Sequence, residues 1–168
     1  MAKSSSLILN NDTVQKKLSR ITHQIIEENY KEKEIVLIGI SENGFLLAEK
    51  ICAILKKLRP EIDIQLIELL INKKNPLKDS IQIKPEISFK DKKIILIDDV
   101  LNSGKTLMHA ASYIISKNIA KMNTIVLVDR RHRSFPIKAD WVGLTLSTTI
   151  QEHISVLIKN NEISVYLE

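Results

Sequence analysis

The spacing of apolar residues changes several times along the chain, and each change marks an element. Val14, Leu18, Ile21, Ile25 and Ile26 recur at helical intervals, while Lys16, Lys17, Arg20 and His23 take the other side. This predicts an amphipathic helix from about Val14 to Asn29, capped by Asn11-Asp12-Thr13. Ile35-Val36-Leu37-Ile38-Gly39-Ile40 is then apolar at consecutive positions, as in a strand of a parallel sheet buried on both faces. Ser41-Glu42-Asn43-Gly44 predicts a turn, Phe45 to Leu58 a second helix stopped by Arg59-Pro60, and Ile62 to Leu70 another strand. From Ile71 to Asp91 the pattern lapses into Lys73, Lys74, Asn75, Pro76, Lys78, Asp79, Ser80, Lys84 and Pro85, which predicts an exposed segment or hairpin.

A second buried run, Ile94-Ile95-Leu96-Ile97, leads into Asp98 and Asp99, and helical spacing resumes from Thr106 to Ile115. Asn123 to Val128 and Trp141 to Leu146 read as strands on either side of a basic turn. Ile154-Ser155-Val156-Leu157-Ile158 and Ile163-Ser164-Val165-Tyr166-Leu167 read as closing strands. Strands alternating with helices predict an α/β fold around a mostly parallel sheet. Neither repeats nor low-complexity linkers interrupt it, and 168 residues at 44% hydrophobic content suit one domain, 1–168.

Composition narrows the setting. The single Cys52 excludes an intramolecular disulfide, and its place in the pattern Leu46-Leu47-Ala48-Ile51-Cys52-Leu55 makes it a core filler, in keeping with a reducing compartment. Met1 to Ser6 lacks a signal-peptide core and no apolar run reaches membrane-spanning length, so a cytoplasmic protein without a membrane partner is expected. The net charge of +5 permits an anionic ligand or nucleic acid without selecting either.

The strongest chemical signal is Asp98-Asp99-Val100-Leu101-Asn102-Ser103-Gly104-Lys105-Thr106. The acids stand at the carboxyl end of a buried strand, where ligands bind in open α/β sheets. Gly104 permits positive φ, Ser103 and Thr106 bring hydroxyls, and the following helix points free N–H groups at the loop, a combination that favours phosphate. A nucleoside triphosphatase loop ending in Gly-Lys-Thr needs a glycine five residues before Gly104, and Asp99 occupies that place. Two carboxylates ahead of a phosphate loop instead fit a ribose 5-phosphate: Asp98 and Asp99 accept from the ribose hydroxyls while residues 102–106 cradle the phosphate.

Ile94 to Thr106 resembles the phosphoribosyl diphosphate (PRPP) motif of type I phosphoribosyltransferases. Thr124 to Gly143, with Asp129-Arg130-Arg131-His132-Arg133-Ser134-Phe135-Pro136-Ile137-Lys138 at its centre, resembles more closely the pyrimidine operon attenuator (PyrR-like) subfamily, RNA-binding regulators that are also uracil phosphoribosyltransferases. Lys16 to Asn29 and Ile38 to Ala48 are similar to the same subfamily, and the likeness is weakest between about Leu69 and Asp91. The resemblance implies the type I phosphoribosyltransferase fold with flanking helices, a flexible loop near 71–91 and a small hood near 129–168. It also implies transfer of the phosphoribosyl group of PRPP to a pyrimidine base, uracil giving UMP and diphosphate, with Mg²⁺ carried by PRPP, leader RNA as a further partner and a homo-oligomer.

Residue by residue, the resemblance places Ser41, Glu42, Asn43 and Gly44 in the diphosphate loop, and Lys73 or Lys74 where the subfamily has the Arg of a Tyr-Arg-Asp-Asp cluster. Asp129, Arg130, Arg131, His132, Phe135 and Ile137 frame the base, with Phe135 or Ile137 over the ring. Ser19, Arg20 and His23, and more loosely Arg130, Arg133 and Lys138, correspond to the RNA surface. Two departures stand out. Asn43 replaces a residue that is usually basic, beside an acidic Glu42, and Leu70-Ile71-Asn72-Lys73-Lys74-Asn75 is a shorter, altered version of the flexible loop. They leave open a nucleotide-sensing RNA-binding regulator with weak or lost catalysis, or a transferase for another nucleobase.

Overall fold

The computed structural model describes residues 5–149 and 152–168. The start of the 1–6 stretch read above for a signal peptide lies outside the described residues, as do positions 150–151 of the hood. The chain order is β1 (Ser6–Leu9), α1 (Asn11–Glu28), β2 (Glu34–Ile40), α2 (Asn43–Leu58), β3 (Asp63–Leu70), β4 (Gln82–Lys84), β5 (Lys93–Leu101), α3 (Lys105–Ile115), β6 (Lys121–Asp129), β7 (Trp141–Thr145), β8 (Ile154–Lys159) and β9 (Glu162–Leu167).

Six strands form the main sheet in the order β4-β3-β2-β5-β6-β7. Its pairings are parallel except β3 with β4. Consecutive side chains on a strand face opposite ways, and the core divides accordingly. Ile35, Leu37, Ile95 and Ile97 pack toward α1 and α2, whereas Val36, Ile38, Ile40, Ile94 and Leu96 pack toward α3. Burial on both faces is why β2 and the first part of β5 carry unbroken apolar runs.

The chain runs from β2 to β3 on one side, then crosses back to place β5 on β2's other edge. The carboxyl ends of β2 and β5 therefore flank a topological switch point, where crevices open in such sheets. A second sheet, β1-β9-β8, joins the two chain ends. It packs through Leu9, Ile154, Ile163 and Val165 onto the α1–α2 side of the core.

Several boundaries differ from the sequence expectation. Strand β1 carries no periodic signal in its four residues and exists through pairing with β9 at the far end of the chain. The cap of α1 is Asn10, whose side chain accepts from Thr13 N–H at 3.0 Å, so Asn11, Asp12 and Thr13 are already its first turn. Helix α2 begins at Asn43, because a positive φ of 66° at Glu42 turns the chain directly into it. The 71–91 segment takes the hairpin form, with β4 antiparallel to β3 and Phe89 buried beneath it. Cys52 is buried, and burial pushes its thiol pKa up, as suits a core filler. Among the described residues no helix is long and apolar enough to cross a membrane.

Candidate functional site

Strand β5 does not stop at the acidic pair. It continues to Leu101, so Asp98 and Asp99 are strand residues held by the sheet. Asp98 is 4% exposed. Its Oδ1 accepts from Asp99 N–H at 2.9 Å and from Lys73 Nζ at 2.8 Å. Asp99 Oδ1 accepts from Val100 N–H at 2.9 Å and from Lys73 Nζ at 3.2 Å. Lys73 thus straddles both carboxylates from the segment after β3, with its side chain 37% exposed.

Burial next to a second carboxylate penalises the charge on Asp98 and pushes its pKa up to about 7, against the pull of Lys73. Burial also works against the Asp99 charge, yet the Lys73 ammonium and hydrogen bonds from Asp98, Asn43 and Lys73 hold its pKa below the ordinary value. The Lys73 pKa is raised, since the two carboxylates outweigh its own desolvation. The pair therefore holds between one and two negative charges near neutrality, with one cation already upon it.

The turn between β2 and α2 reaches the same carboxylates. Asn43 Nδ2 donates to Asp99 Oδ2 at 3.0 Å and to Val156 O of β8 at 2.9 Å, so its amide ties the acidic pair to the smaller sheet. Gly44 lies directly against β5: a Cβ there would stand 2.8 Å from Ile97 O and 3.3 Å from Asp98 Oδ1. Ser41 accepts from Ile71 N–H through its hydroxyl at 3.3 Å, linking this turn to the segment that carries Lys73. Glu42 points to solvent with no capping bond to α2.

Beyond the acids, Asn102 to Thr106 form the loop into α3. Gly104 takes φ 86° at the helix N-cap, in the left-handed region that glycine enters without strain. A Cβ there would also lie 2.8 Å from Ile137 Cγ2. The first N–H groups of α3 have no intrahelical acceptor and point at the loop, the arrangement that binds phosphate. A cavity of about 320 Å³ opens over this unit. Its walls include Lys73, Asp98 to Gly104 and Thr106, closed by Leu107, Arg130, His153 and Ile154. Lys105 is exposed outside it, and Lys74 is exposed without lining it.

The basic turn after β6 sits elsewhere than expected. Ser103 O accepts from Ser134 N–H at 2.9 Å and Phe135 N–H at 3.1 Å, which fixes the turn against the back of the loop. Phe135 and Ile137 consequently buttress Gly104 instead of covering the cavity. Asp129 is buried and spent on the turn itself, accepting from Arg131 N–H at 2.9 Å and pairing with Arg133. Arg131, at φ 55°, and His132 are exposed outside the cavity. Of the six residues expected to frame a base, Arg130 alone lines it. It is 5% exposed, and that burial removes it from any RNA surface.

The RNA-surface residues divide similarly. Arg20 donates to Val142 O at 2.7 Å and to Gly143 O at 3.3 Å, capping edge strand β7. His23 bonds Ser19 O through Nδ1 at 2.8 Å, and Ser19 is half-buried. Arg20, His23 and Lys138 are exposed, whereas Arg133 is drawn to Asp129. Leu107, His153 and Ile154 are the cavity residues that the sequence reading missed; Leu107 continues α3 from the loop. His153 and Ile154 stand at the start of β8 and reach the cavity only because β8 pairs with β9 beside β5, a placement with no local signal.

A magnesium ion carried on the phosphates of a ligand fits these donors. Among the described residues no cluster of three or more His, Cys, Asp or Glu forms a dedicated metal cage. Two adjacent carboxylates at the cavity suit an ion that keeps most of its oxygens from substrate and water.

Comparison with known proteins converges on one group. Residues 4–159 match the phosphoribosyl transferase domain. The chain is 37% identical to the bifunctional protein PyrR of Clostridium kluyveri over 98% of each chain. It is 39% identical to that of Leuconostoc citreum over 90% of each. Among solved structures, the hypoxanthine phosphoribosyltransferase of Trypanosoma cruzi superposes with a TM-score of 0.79 at 14% identity, covering 95% of each chain. A hypoxanthine-guanine phosphoribosyltransferase from Bacillus anthracis gives 0.73 at 20% identity, over 90% of this chain and 87% of that one. These two likenesses speak for the fold.

Proposed function

Because this chain belongs to the phosphoribosyl transferase domain family, we propose that it transfers the 5-phosphoribosyl group of PRPP to a pyrimidine base, uracil giving UMP and diphosphate. The observation that carries this reading is the acidic pair at the switch point, continuous with a glycine-capped loop and lining one cavity with it.

In the reaction a ring nitrogen of the base replaces diphosphate at C1 of the ribose, and positive charge develops on the sugar as the C1–O bond opens. Asp98 and Asp99 accept from the ribose hydroxyls and place negative charge near that sugar. Ser103, Gly104, Thr106 and the N-terminus of α3 hold the 5′-phosphate, so the sugar is fixed at both ends. A magnesium ion bound with PRPP would neutralise the diphosphate, with Asp98 and Asp99 as its neighbours on the protein. Lys73 lies over the acids until the ribose arrives, then turns to the departing diphosphate as a point charge. His153 and Ile154 line the same cavity, and this reading assigns them to its base end.

PRPP-dependent consumption of uracil, cytosine and hypoxanthine, measured with added Mg²⁺, tests the reading. Uracil is expected to be consumed with equimolar diphosphate release. Failure to turn over any base with folded protein would overturn it.

A second role is favoured by the relatives, which are named bifunctional. UMP in the cavity would modulate binding of pyrimidine leader RNA, with Lys16 and Lys138 as exposed phosphate contacts. Filter binding with and without UMP is expected to show UMP-dependent affinity. Equal, salt-sensitive binding to any RNA would contradict it.

A further inference from the structure

The side chain of Arg130 joins parts of the site that come from distant stretches of sequence. It stands at the end of β6, and its main-chain N–H donates to Leu101 O of β5 at 3.0 Å. From there Nη1 donates to Asn102 Oδ1 at 3.0 Å, on the phosphate loop. Nε donates to Thr148 Oγ1 at 2.5 Å, and Nη2 to Thr149 O at 2.8 Å and to Glu152 O. Thr149 N–H in turn donates to the Glu152 carboxylate at 2.6 Å. His153 and Ile154 follow Glu152 directly and form the cavity wall.

A guanidinium offers five donors in a rigid plane, and here four hydrogen bonds are spread over its three nitrogens. All four acceptors are neutral oxygens. Burying a cation is costly, and an ordinary hydrogen-bonding side chain could satisfy one or two of these oxygens but not all of them. What distinguishes Arg at this place is its fork, which meets the phosphate loop in one direction and the chain leading to the base wall in the other.

We propose that Arg130 is a positioning residue for base recognition: through Thr148, Thr149 and Glu152 it holds His153 and Ile154 in register with the phosphate loop, so that a nucleotide seated by its phosphate meets a preformed wall at its base. The inference rests on the nucleotide-site reading above and deepens it. Four of the five guanidinium donors are spent on these protein oxygens, so removal of Arg130 is expected to act on base discrimination through the wall.

The test compares two probes by calorimetry, UMP and ribose 5-phosphate, on the full chain and on Arg130→Gln. The substitution is expected to weaken UMP about tenfold, equivalent to about 1.4 kcal/mol, while ribose 5-phosphate stays within about twofold. In Arg130→Ala, added methylguanidinium is expected to restore most of the UMP affinity. Equal losses for both probes would make Arg130 a general attractor of phosphate and overturn the proposal, as would unchanged UMP affinity. If Arg130 variants do not fold, Thr148→Val decides, because it keeps the guanidinium and removes one acceptor. It is expected to give the same selective loss at smaller size, and no selectivity change in it would overturn the proposal. Absence of UMP binding to the unaltered chain would instead defeat the underlying nucleotide reading.

Discussion

The two halves of the site are built differently. The ribose-phosphate half is one contiguous stretch, Asp98 to Thr106, set by a buried strand and a helix start. The half that would manage diphosphate comes from two separate segments, Ser41 to Gly44 and the stretch after Leu70, and both converge on the carboxylates of the first half. Contiguity makes the first half sturdy and readable. The second depends on polar contacts at long range, made by Asn43 and Lys73. In the described state both are hydrogen-bonded to the acidic pair, so on the proposed reading holding ribose and holding diphosphate compete for the same groups.

The largest expected effect separates the halves outright. Replacing both Asp98 and Asp99 by Asn removes charge-assisted hydrogen bonds worth about 1.5–3 kcal/mol each, so UMP affinity is expected to fall roughly a hundredfold or more. A thermal melt checks that the fold survives, and calorimetry reads the loss. Unaltered affinity would refute the assignment of the ribose to these acids.

Gly44→Ala probes the seam between the halves. A Cβ there meets the backbone of Ile97 and the Asp98 carboxylate, and strain of this kind costs about 1–3 kcal/mol. A lower melting temperature together with roughly tenfold weaker nucleotide binding is expected. If neither changes, α2 and β5 are less tightly fitted than the structure describes.

The pH response follows from the opposed shifts. Asp98 rises from an ordinary 3.8 to about 7 on folding, so the folded protein binds more protons than the unfolded chain between those values, and stability falls as pH rises through that window. Asp99 is shifted down, so its contribution is present above 3.8 and is lost only as pH falls through its lower folded value. On the proposed reading the ribose hydroxyls donate to the Asp98 carboxylate, so UMP affinity is expected to climb severalfold from pH 6 to 8. In Asp98→Asn the part of the climb due to this group disappears, leaving the titration of the nucleotide phosphate. An identical profile in the variant would show that Asp98 does not govern it.

Much of the architecture was legible because it is encoded locally. The apolar runs of β2 and β5, the spacing of α2 and α3 and the phosphate loop each carry their signal within a few residues. The features that were not legible come from distant pairing. Strand β1 acquires its identity from β9, and His153 and Ile154 from the sheet that β9 completes. The basic stretch Arg130 to Arg133 misled for a related reason, since four polar residues in a row give no sign that Arg130 turns inward while Arg131 and His132 stay in solvent. Phe135 and Ile137, apolar and near the loop, suggested a cover for the base; in the structure they pack against Gly104 and do not line the cavity.

The smallest expected effect is the most direct test of the competition between halves: calorimetric titration of Lys73→Gln with UMP and with PRPP. Removing the ammonium frees the acidic pair, so UMP, which lacks the diphosphate, is expected to bind about two- to fivefold more tightly, an energy in the range of a partly exposed ion pair. PRPP, which loses its point-charge partner, is expected to bind more weakly. Changes of opposite sign establish that one lysine serves both halves in turn, and a loss of affinity for both ligands, or for neither, contradicts it.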